Sequence, residues 1–265
     1  IEVRVVAEDP ATGWMPSVGS VEAFDIDTGA GVRVDTGFQA GAIVSPDYDS
    51  LLAKVIAHAP TRPEAARVLA GALRGSEVTG VRTNIDSLIA ILGEDDFLAA
   101  ATPTSYLDTH PAVTESTGPT GADERALLLG AVFADEKFHR DADAVTGFSP
   151  SGWRNMRTHG QRSVWTTDGV ADSRPVELSW EGDVAQVKLG QWPVPTEDGT
   201  LSEDDRTEVA VRVLESSANS MALEIDGRRT RVGVRRSSDG VAGGPSGQDG
   251  VVVHTRSPAG ARSWA

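Results

Sequence analysis

The chain opens with Ile1-Glu2-Val3-Arg4-Val5-Val6, the first of the segments that decide the fold of its N-terminal part. β-Branched residues alternate with charged ones in this segment, which is typical of a strand that buries one face. Val21–Asp25 and, after a glycine turn, Val32–Val34 repeat the strand signal. Ser50–Ile56 has an apolar pattern that fits a strand or a helix, and the sequence leaves that choice open.

Two helices are expected after these strands. Thr61 is placed as an N-cap, and Glu64 stands three residues later, where a capping-box partner belongs. The apolar stripe of this helix consists of Ala65, Ala66, Leu69, Ala72 and Leu73. A second helix is predicted over Asn84–Gly93, with Gly93 as its stop. Strands and helices together predict a mixed α/β domain over residues 1–110.

The C-terminal half has a different organisation. Residues 111–121 are rich in Pro, Gly, Ser and Thr and predict a linker. A domain over 122–265 then begins with a helical pattern that runs to His139. Seven short strands follow, and Asp226-Gly227 between two of them is a strong hairpin signal. The order predicts an α+β protein whose second domain is an antiparallel barrel or sandwich with one long helix. No segment that would close this core is recognisable near Ala265, and we expect a truncated interior piece of a longer protein.

Composition excludes several classes of function. The 265 residues carry a formal net charge of −15 and no cysteine. An acidic chain without a cluster of Lys and Arg is not expected to bind nucleic acid or an anionic membrane surface. The absence of cysteine excludes disulfides and thiolate chemistry and is in keeping with a cytoplasmic location. The five histidines show no metal-ligand spacing, so no metal site is predicted.

Six segments, taken in order and at their spacing, resemble the C-terminal subdomain of biotin carboxylase. They are Ile1-Glu2-Val3-Arg4-Val5-Val6-Ala7-Glu8-Asp9-Pro10, Met15-Pro16-Ser17-Val18-Gly19, Gly31-Val32-Arg33-Val34-Asp35-Thr36-Gly37, Pro46-Asp47-Tyr48-Asp49-Ser50-Leu51-Leu52-Ala53-Lys54-Val55, Thr61-Arg62-Pro63-Glu64-Ala65 and Gly80-Val81-Arg82-Thr83-Asn84. The series departs from the family pattern at Asp47, where the family usually has Tyr.

The resemblance implies ATP-dependent carboxylation of biotin by bicarbonate. In the family, the Arg of the Gly-Val-Arg motif lies against biotin and stabilises the negative charge that develops on it, and here that residue is Arg33. A guanidinium is always cationic and suits this role, because a fixed donor stabilises charge in a transition state. Arg33 is thus the predicted catalytic and biotin-binding residue. The alternative is an ordinary surface arginine on an alternating strand.

Other charged residues in the first domain favour structural roles. For Lys54, inside an apolar run, we favour an ion pair with Asp49 or a stem that reaches water over a catalytic role. Glu8 and Asp9 are adjacent and point to opposite faces of a strand, which favours a surface or turn role. Glu2 and Arg4 share one strand face, where they pair with each other or line the cleft.

A second resemblance comes from Ser151-Gly152-Trp153-Arg154-Asn155, which follows the long helix. It is similar to the segment between the biotin carboxylase and biotin carrier domains of acyl-CoA carboxylase α subunits. In that family the segment folds as a β-barrel around one long helix and docks the carboxyltransferase β subunit. The resemblance implies that Trp153 and Arg154 dock this partner. Most of the other tryptophans are expected in the core, with one of Trp153, Trp165, Trp180 and Trp192 at the interface.

The same resemblance implies which parts lie elsewhere. The chain has no phosphate loop with a Lys and no Met-Lys-Met biotin attachment sequence. ATP and Mg²⁺ are expected to bind mostly upstream, and biotin is expected on a carrier domain downstream, so the fragment alone is predicted to be an inactive part of a ligase of fatty acid metabolism. A homodimer through the first domain is a further expectation.

Three other interpretations remain open. The chain is alternatively a non-catalytic assembly module that docks a carboxyltransferase, a piece of a urea carboxylase-type enzyme, or an unrelated two-domain binding protein. A pyruvate carboxylase is disfavoured by the predicted second domain, because that enzyme would continue into a long (β/α)8 barrel.

Overall fold

The computed structural model describes residues 1–114, 120–143, 159–167, 173–194, 202, 204–237, 252–257 and 260–264. The chain divides into two compact units, of which the first comprises Ile1–Pro119 with Ser257–Ala261 and the second comprises Thr120–Arg256 with Arg262–Ala265.

The first unit contains nine strands, five α-helices and one 3-10 helix (Pro10–Thr12) among its described residues. The strands are β1 (Glu2–Val6), β2 (Glu8–Asp9), β3 (Met15–Pro16), β4 (Gly19–Ser20), β5 (Ala23–Asp25), β6 (Val32–Thr36), β7 (Ile43–Val44), β8 (Leu51–Ala57) and β9 (Glu77–Thr79). The helices are α1 (Arg62–Gly75), α2 (Ile85–Ile91), α3 (Asp95–Leu98), α4 (Tyr106–Thr109) and α5 (Pro111–Thr114).

A three-stranded antiparallel sheet in the order β1-β8-β6 is the main sheet of this unit. The segment that the sequence left ambiguous is therefore a strand, the central one. Its inward-facing residues Val55 and Ala57 pack with Val5 of β1 and Leu69 of α1 in one core. The strand is chosen over the helix because both of its edges find hydrogen-bonding partners that lie far away in sequence.

The first helix begins as predicted. Thr61 has extended backbone and its hydroxyl accepts a hydrogen bond from the Glu64 N–H at 3.4 Å. Every residue of the predicted apolar stripe is buried. The second predicted helix is shorter than expected, since α2 ends at Ile91. A one-turn helix, α5, occupies part of the stretch where the composition predicts a linker.

The rest of the described chain forms one long helix and eight strands, all of which belong to the second unit apart from Ser257 and residues 260–261. They are α6 (Gly121–Ala142), β10 (Gln161–Thr166), β11 (Ser173–Glu181), β12 (Val184–Leu189), β13 (Thr207–Ser216), β14 (Ser220–Ile225), β15 (Arg228–Ser237), β16 (Val252–Ser257) and β17 (Gly260–Trp264). The strands form a single sheet in chain order.

This sheet closes on itself. An antiparallel bridge between Thr167, just after β10, and Trp264 at the end of β17 joins its two edge strands. Eight consecutive residues of α6, from Ala126 to Phe133, are buried in one core with the inward side chains of the strands. A helix that is buried on all sides is enclosed, so the unit is an antiparallel barrel around α6. The predicted fold class is confirmed.

Glycine permits the closest approach inside this barrel. A Cβ at Gly130 of α6 would lie 2.7 Å from Cγ1 of Val232 on β15. The predicted Asp226-Gly227 turn joins β14 to β15, and both residues have positive φ, 48° and 80°. Positive φ at both central positions is typical of a type I′ turn, whose twist matches the twist of the two strands that it joins.

A segment near Ala265 that takes part in closing the core was not recognised in the sequence. The sequence showed no closing segment near Ala265, yet Trp264 is fully buried and its indole N–H donates to Thr255 Oγ1 at 2.8 Å. The segment escaped recognition because β17 is short and Arg262 interrupts its apolar character.

Candidate functional site

The outward face of the three-stranded sheet collects charged side chains. We call it the polar face, and it consists of Glu2, Arg4, Arg33, Asp35 and Lys54. Register places these residues in two rows: Glu2 and Arg33 flank Ile56, and Arg4 and Asp35 flank Lys54. Alternation puts them on one face because the residues between them point into the core. Three bases and two acids give the polar face a net positive charge.

Arg33 is held by its neighbour two residues along the strand. Its Nε donates to Asp35 Oδ1 at 2.9 Å, and its terminal nitrogen NH2 donates to Asp35 Oδ2 at 2.7 Å. This two-point geometry matches the planar guanidinium to the carboxylate. The Arg33 side chain is nevertheless 74% exposed, so the pair orients the guanidinium and leaves it open to a ligand.

The pair also defines the charge states of both groups. The hydrogen bonds to Asp35, and then its charge, raise the pKa of Arg33. The hydrogen bond from Arg33 lowers the pKa of Asp35, and the charges of Arg33 and Lys54 act in the same direction. Both groups therefore stay ionised throughout the neutral range, and the polar face keeps its mixed charge.

A glycine turn sets the position of Arg33. Gly31 has φ of 83°, and a Cβ there would lie 2.9 Å from the carbonyl oxygen of His58. The carbonyl of Gly31 accepts from the His58 N–H at 2.9 Å, which ties the start of β6 to the end of β8. Only glycine combines this backbone conformation with such close packing. The Gly-Val-Arg motif is thus explained as a turn followed by an outward-pointing arginine.

The opposite edge of the sheet is held by Asn84. Its Oδ1 accepts from the Val6 N–H at 3.0 Å, and its Nδ2 donates to the Arg4 carbonyl at 3.1 Å. The buried amide replaces the strand that β1 lacks on that edge. Gly80, in the same motif, has φ of 90° and passes so close to the Ser20 carbonyl that no Cβ fits. The motif from Gly80 to Asn84 therefore supports the polar face without joining it.

Other predicted residues lie where geometry gives them structural roles. Lys54 faces Asp35 across the strands, whereas Asp49 accepts from the Leu51 N–H at 2.9 Å, so the expected Lys54–Asp49 pair is wrong. Glu8 accepts from the Ser50 hydroxyl at 2.6 Å, a contact that closes a loop. Sequence reasoning missed Asp35, although its spacing of two from Arg33 on a strand was the available signal.

The predicted docking residues Trp153 and Arg154 lie outside the described residues. Of the other three tryptophans, Trp165 is buried in the barrel core. Trp180 packs against that core and donates to Glu136 Oε1 at 3.0 Å. Trp192 is partly exposed, with the guanidinium of Arg162 5.1 Å from its ring centre.

An ion-pair network connects the loop after β12 to the barrel wall. Arg206 donates to Glu177 Oε2 at 2.9 Å and to Asp204 at 2.7 Å. Glu177 also accepts from Arg162 and from the Gly160 N–H. Burial raises the pKa of Glu177, but these hydrogen bonds outweigh burial and lower that pKa to about 2. The network favours a structural role, because Glu177 of β11 binds residues from two other segments of the chain.

Within the part of the chain that the structure describes, no group of three His, Cys, Asp or Glu residues is arranged to hold a metal ion. The described residues therefore do not fit a magnesium site of their own. None of the described helices is long and apolar enough to cross a membrane.

Comparison with known proteins identifies the first unit. The family model described as "Biotin carboxylase C-terminal domain" matches residues 2–109. Pyruvate carboxylase 1 of Caenorhabditis elegans is 43% identical over 112 residues, which are 42% of this chain and 10% of that protein. The 2-oxoglutarate carboxylase small subunit of Hydrogenobacter thermophilus is 37% identical over 134 residues, 51% of this chain and 28% of that protein.

A solved structure shares the same region. It is the biotin carboxylase domain dimer of the Hydrogenobacter thermophilus 2-oxoglutarate carboxylase, in complex with MgADP, ADP and bicarbonate. Identity is 40%, coverage is 43% of this chain and 25% of that one, and the TM-score is 0.42. The chain spans only a tenth of the pyruvate carboxylase and just over a quarter of the 2-oxoglutarate carboxylase subunit. These relatives do not single out an acyl-CoA carboxylase. Residues 2–109 match the biotin carboxylase C-terminal domain family.

Proposed function

We propose that the chain is part of the α subunit of an acyl-CoA carboxylase, which carboxylates carrier-bound biotin with ATP and bicarbonate. One observation carries the choice of acyl-CoA: the biotin carboxylase C-terminal domain is followed by a closed eight-stranded antiparallel barrel around α6. That is the architecture which the resemblance of the Trp153 segment implies for the β-subunit docking domain. An α/β barrel of the pyruvate carboxylase kind would instead alternate helices with parallel strands.

In this proposal the polar face forms one wall of the biotin site. The ureido oxygen of biotin gains negative charge as its N1 is deprotonated, and the exposed guanidinium of Arg33 stabilises that oxygen. Asp35 keeps the guanidinium oriented through the two-point pair, which lowers the cost of immobilising a long side chain. Because the pair itself is exposed, it is weak enough for the ligand to share the donors.

The remaining groups are assigned to other parts of the protein. ATP, Mg²⁺ and bicarbonate bind mainly to parts of the enzyme other than this chain. Biotin arrives on a carrier domain, and the carboxyltransferase β subunit docks on the barrel unit through Trp153 and Arg154. A homodimer through the first unit and a cytoplasmic location complete the proposal.

An oxo-acid carboxylase is the second candidate, favoured by the pyruvate and 2-oxoglutarate carboxylases among the relatives. The discriminating experiment uses the full-length subunit that contains this chain, mixed with either an acyl-CoA carboxyltransferase β subunit or an oxo-acid carboxyltransferase. Transfer of labelled bicarbonate to propionyl-CoA or acetyl-CoA, with stable binding of the acyl-CoA β subunit, is expected. Label in oxaloacetate from pyruvate, and none in acyl-CoA, would establish the second candidate.

The role of Arg33 is tested by Arg33→Ala in the same full-length subunit. Loss of one charge-stabilising donor is expected to lower the rate of free biotin carboxylation by about 100- to 1000-fold. The matched control is Arg231→Ala, because Arg231 is similarly exposed and pairs with Glu215 at 2.8 Å on the outside of the barrel. Equal activity of the two variants would contradict the biotin role.

Docking is tested separately by Trp153→Ala. Weaker binding of the β subunit with unchanged free biotin carboxylation is expected, and Trp192→Ala serves as the control. If Arg33→Ala has no effect on biotin carboxylation while Trp153→Ala abolishes docking, the chain is an assembly module without a catalytic share. Unaltered docking by Trp153→Ala would remove the docking assignment.

A further inference from the structure

The Arg33–Asp35 pair on the polar face has no net charge of its own. Asp35 offers both of its carboxylate oxygens to Arg33, at 2.9 and 2.7 Å. A guanidinium whose charge is balanced at this distance attracts a developing oxyanion less strongly than an unpaired one. A further cation close to the pair would restore a net positive charge at the place where the proposed chemistry uses one.

Lys54 lies in the position for this cation. It belongs to the central strand β8, and the register places it directly opposite Asp35 of β6. Neighbouring strands are about 4.8 Å apart, so the four methylene groups of a lysine stem are long enough to bring the ammonium group close to that carboxylate. The hydrogen bond from Arg33 lowers the pKa of Asp35, and the charge of Lys54 acts in the same direction. Two cations therefore act on one carboxylate.

The other neighbour of Lys54 makes a purely structural role less favourable. On β1 the residue directly opposite Lys54 is Arg4. Like charges directly opposite each other on one face of a sheet are destabilising. Glu2, the second acid of the polar face, lies in the other row, opposite Ile56. The row that contains Lys54 therefore concentrates positive charge at a cost to the sheet, and local conflicts of this kind are expected at functional sites.

We propose that Lys54 is a positioning residue for Arg33: it attracts Asp35 from the central strand, so that Asp35 orients the guanidinium without cancelling the positive charge that faces biotin. The role of Lys54 rests on the proposed function of Arg33. Lys54 does not touch biotin in this assignment and acts through Asp35. Because the ureido oxygen of biotin becomes charged only as the reaction proceeds, the contribution of Lys54 falls on kcat and leaves the KM for biotin nearly unchanged.

Substitution of Lys54 by methionine in the full-length subunit removes the charge and keeps an apolar stem of similar length. We expect kcat for carboxylation of free biotin to fall about three- to tenfold, the effect of one charge that acts across a partly exposed face. The KM for biotin should stay within about twofold. Lys54→Arg should recover most of the rate, because it keeps the charge. The ratio of the unaltered rate to the Lys54→Met rate should approach one as sodium chloride is raised, since salt screens the interaction.

Lys188→Met supplies the matched control. Lys188 is also a strand lysine, and it pairs with Glu208 at 2.8 Å in the barrel unit. Its loss should leave kcat for free biotin and the salt dependence unchanged. Far-UV circular dichroism verifies that each variant is folded.

A double variant separates the role of Lys54 from that of Arg33. If Lys54 acts through the pair, adding Lys54→Met to Arg33→Ala should lower the remaining rate no further. Unchanged kcat in Lys54→Met, an equal loss in Lys54→Arg, or the same loss with and without Arg33 would overturn the role of Lys54 and leave that of Arg33 standing. Full activity of Arg33→Ala would instead overturn the proposed function of Arg33, and the role of Lys54 with it.

Discussion

Substitution of Gly130 by alanine probes whether α6 is enclosed by the barrel. In an open helix the change from Gly to Ala stabilises by about 1 kcal/mol. At Gly130 the new Cβ would lie 2.7, 3.1 and 3.3 Å from three carbons of the Val232 side chain, which is itself fully buried. Overpacking of this kind costs about 1–3 kcal/mol. The net result is a loss of up to about 2 kcal/mol.

Gly71 of α1 supplies the matched control. It is also a helix-interior glycine, but a Cβ there would meet no atom within 4 Å. Gly71→Ala is therefore expected to stabilise the first unit by up to about 1 kcal/mol. The predicted difference between the two variants is about 1–3 kcal/mol in free energy of unfolding, with opposite signs for the two changes.

Urea denaturation followed by tryptophan fluorescence measures the effect of Gly130→Ala, and far-UV circular dichroism in the same titration measures the effect of Gly71→Ala. Five of the six tryptophans lie from position 153 onward, so the signal is dominated by the barrel unit. The double variant Gly130→Ala, Val232→Ala should recover part of the loss, because the two methyl groups removed make room for the new Cβ. Stabilisation by Gly130→Ala equal to that of Gly71→Ala would refute the close approach of α6 to β15.

Three further predictions follow from the contacts. The pKa of Glu177 is about 2 in the folded state, below its ordinary value of 4.5, so the stability that its ionised form gives the fold is complete above pH 4.5 and is lost as the pH falls toward 2. Glu177→Gln should therefore lower the free energy of unfolding by up to about 3 kcal/mol at neutral pH and weaken the dependence of stability on acid pH. The control Glu215→Gln should do neither. Asn84→Ala should destabilise the first unit by about 1–3 kcal/mol in chemical denaturation, because the Val6 N–H loses its acceptor, and a loss below 0.5 kcal/mol (about half a single hydrogen bond) would contradict the edge role. Trp264→Ala should cost about 3–5 kcal/mol and broaden the NMR spectrum of the barrel unit, while native-like stability of that variant would show that β17 does not close the sheet.

The sequence predicted correctly those features that depend on residues close together in the chain, such as a helix cap and a hairpin turn. The helix cap at Thr61 depends on atoms three residues apart, and the hairpin at Asp226-Gly227 depends on two backbone angles. The alternation in β1 predicted a shared face for Glu2 and Arg4 for the same reason. Such features need no knowledge of distant partners.

Features that depend on register were predicted poorly. Lys54 faces Asp35, nineteen positions away, and not the nearby Asp49, because β8 is paired with β6 in a register that periodicity alone does not specify. The hydrogen bond between Asn84 and Val6 of β1 joins residues 78 positions apart. In the sequence, Asn84 stands out only as the last residue of the segment Gly80-Val81-Arg82-Thr83-Asn84. A cavity at the start of α6 depends on β11, β12, β13 and β17, which contribute to its lining from distant parts of the sequence.

By itself, the sequence determined the class of most of the longer elements, the division of signals between an α/β first part and a β-rich second part, and, through the resemblance that it carries, Arg33 as the residue of interest. The tertiary structure alone decided that Asp35 orients Arg33, that the eight strands close through Thr167 and Trp264, and that a charged cavity lies at the barrel entrance. Secondary-structure propensity, helix capping and turn geometry act over a few residues. Closure of the barrel and burial of its side chains depend on residues far apart in sequence, and they are determined only when all strands pack together.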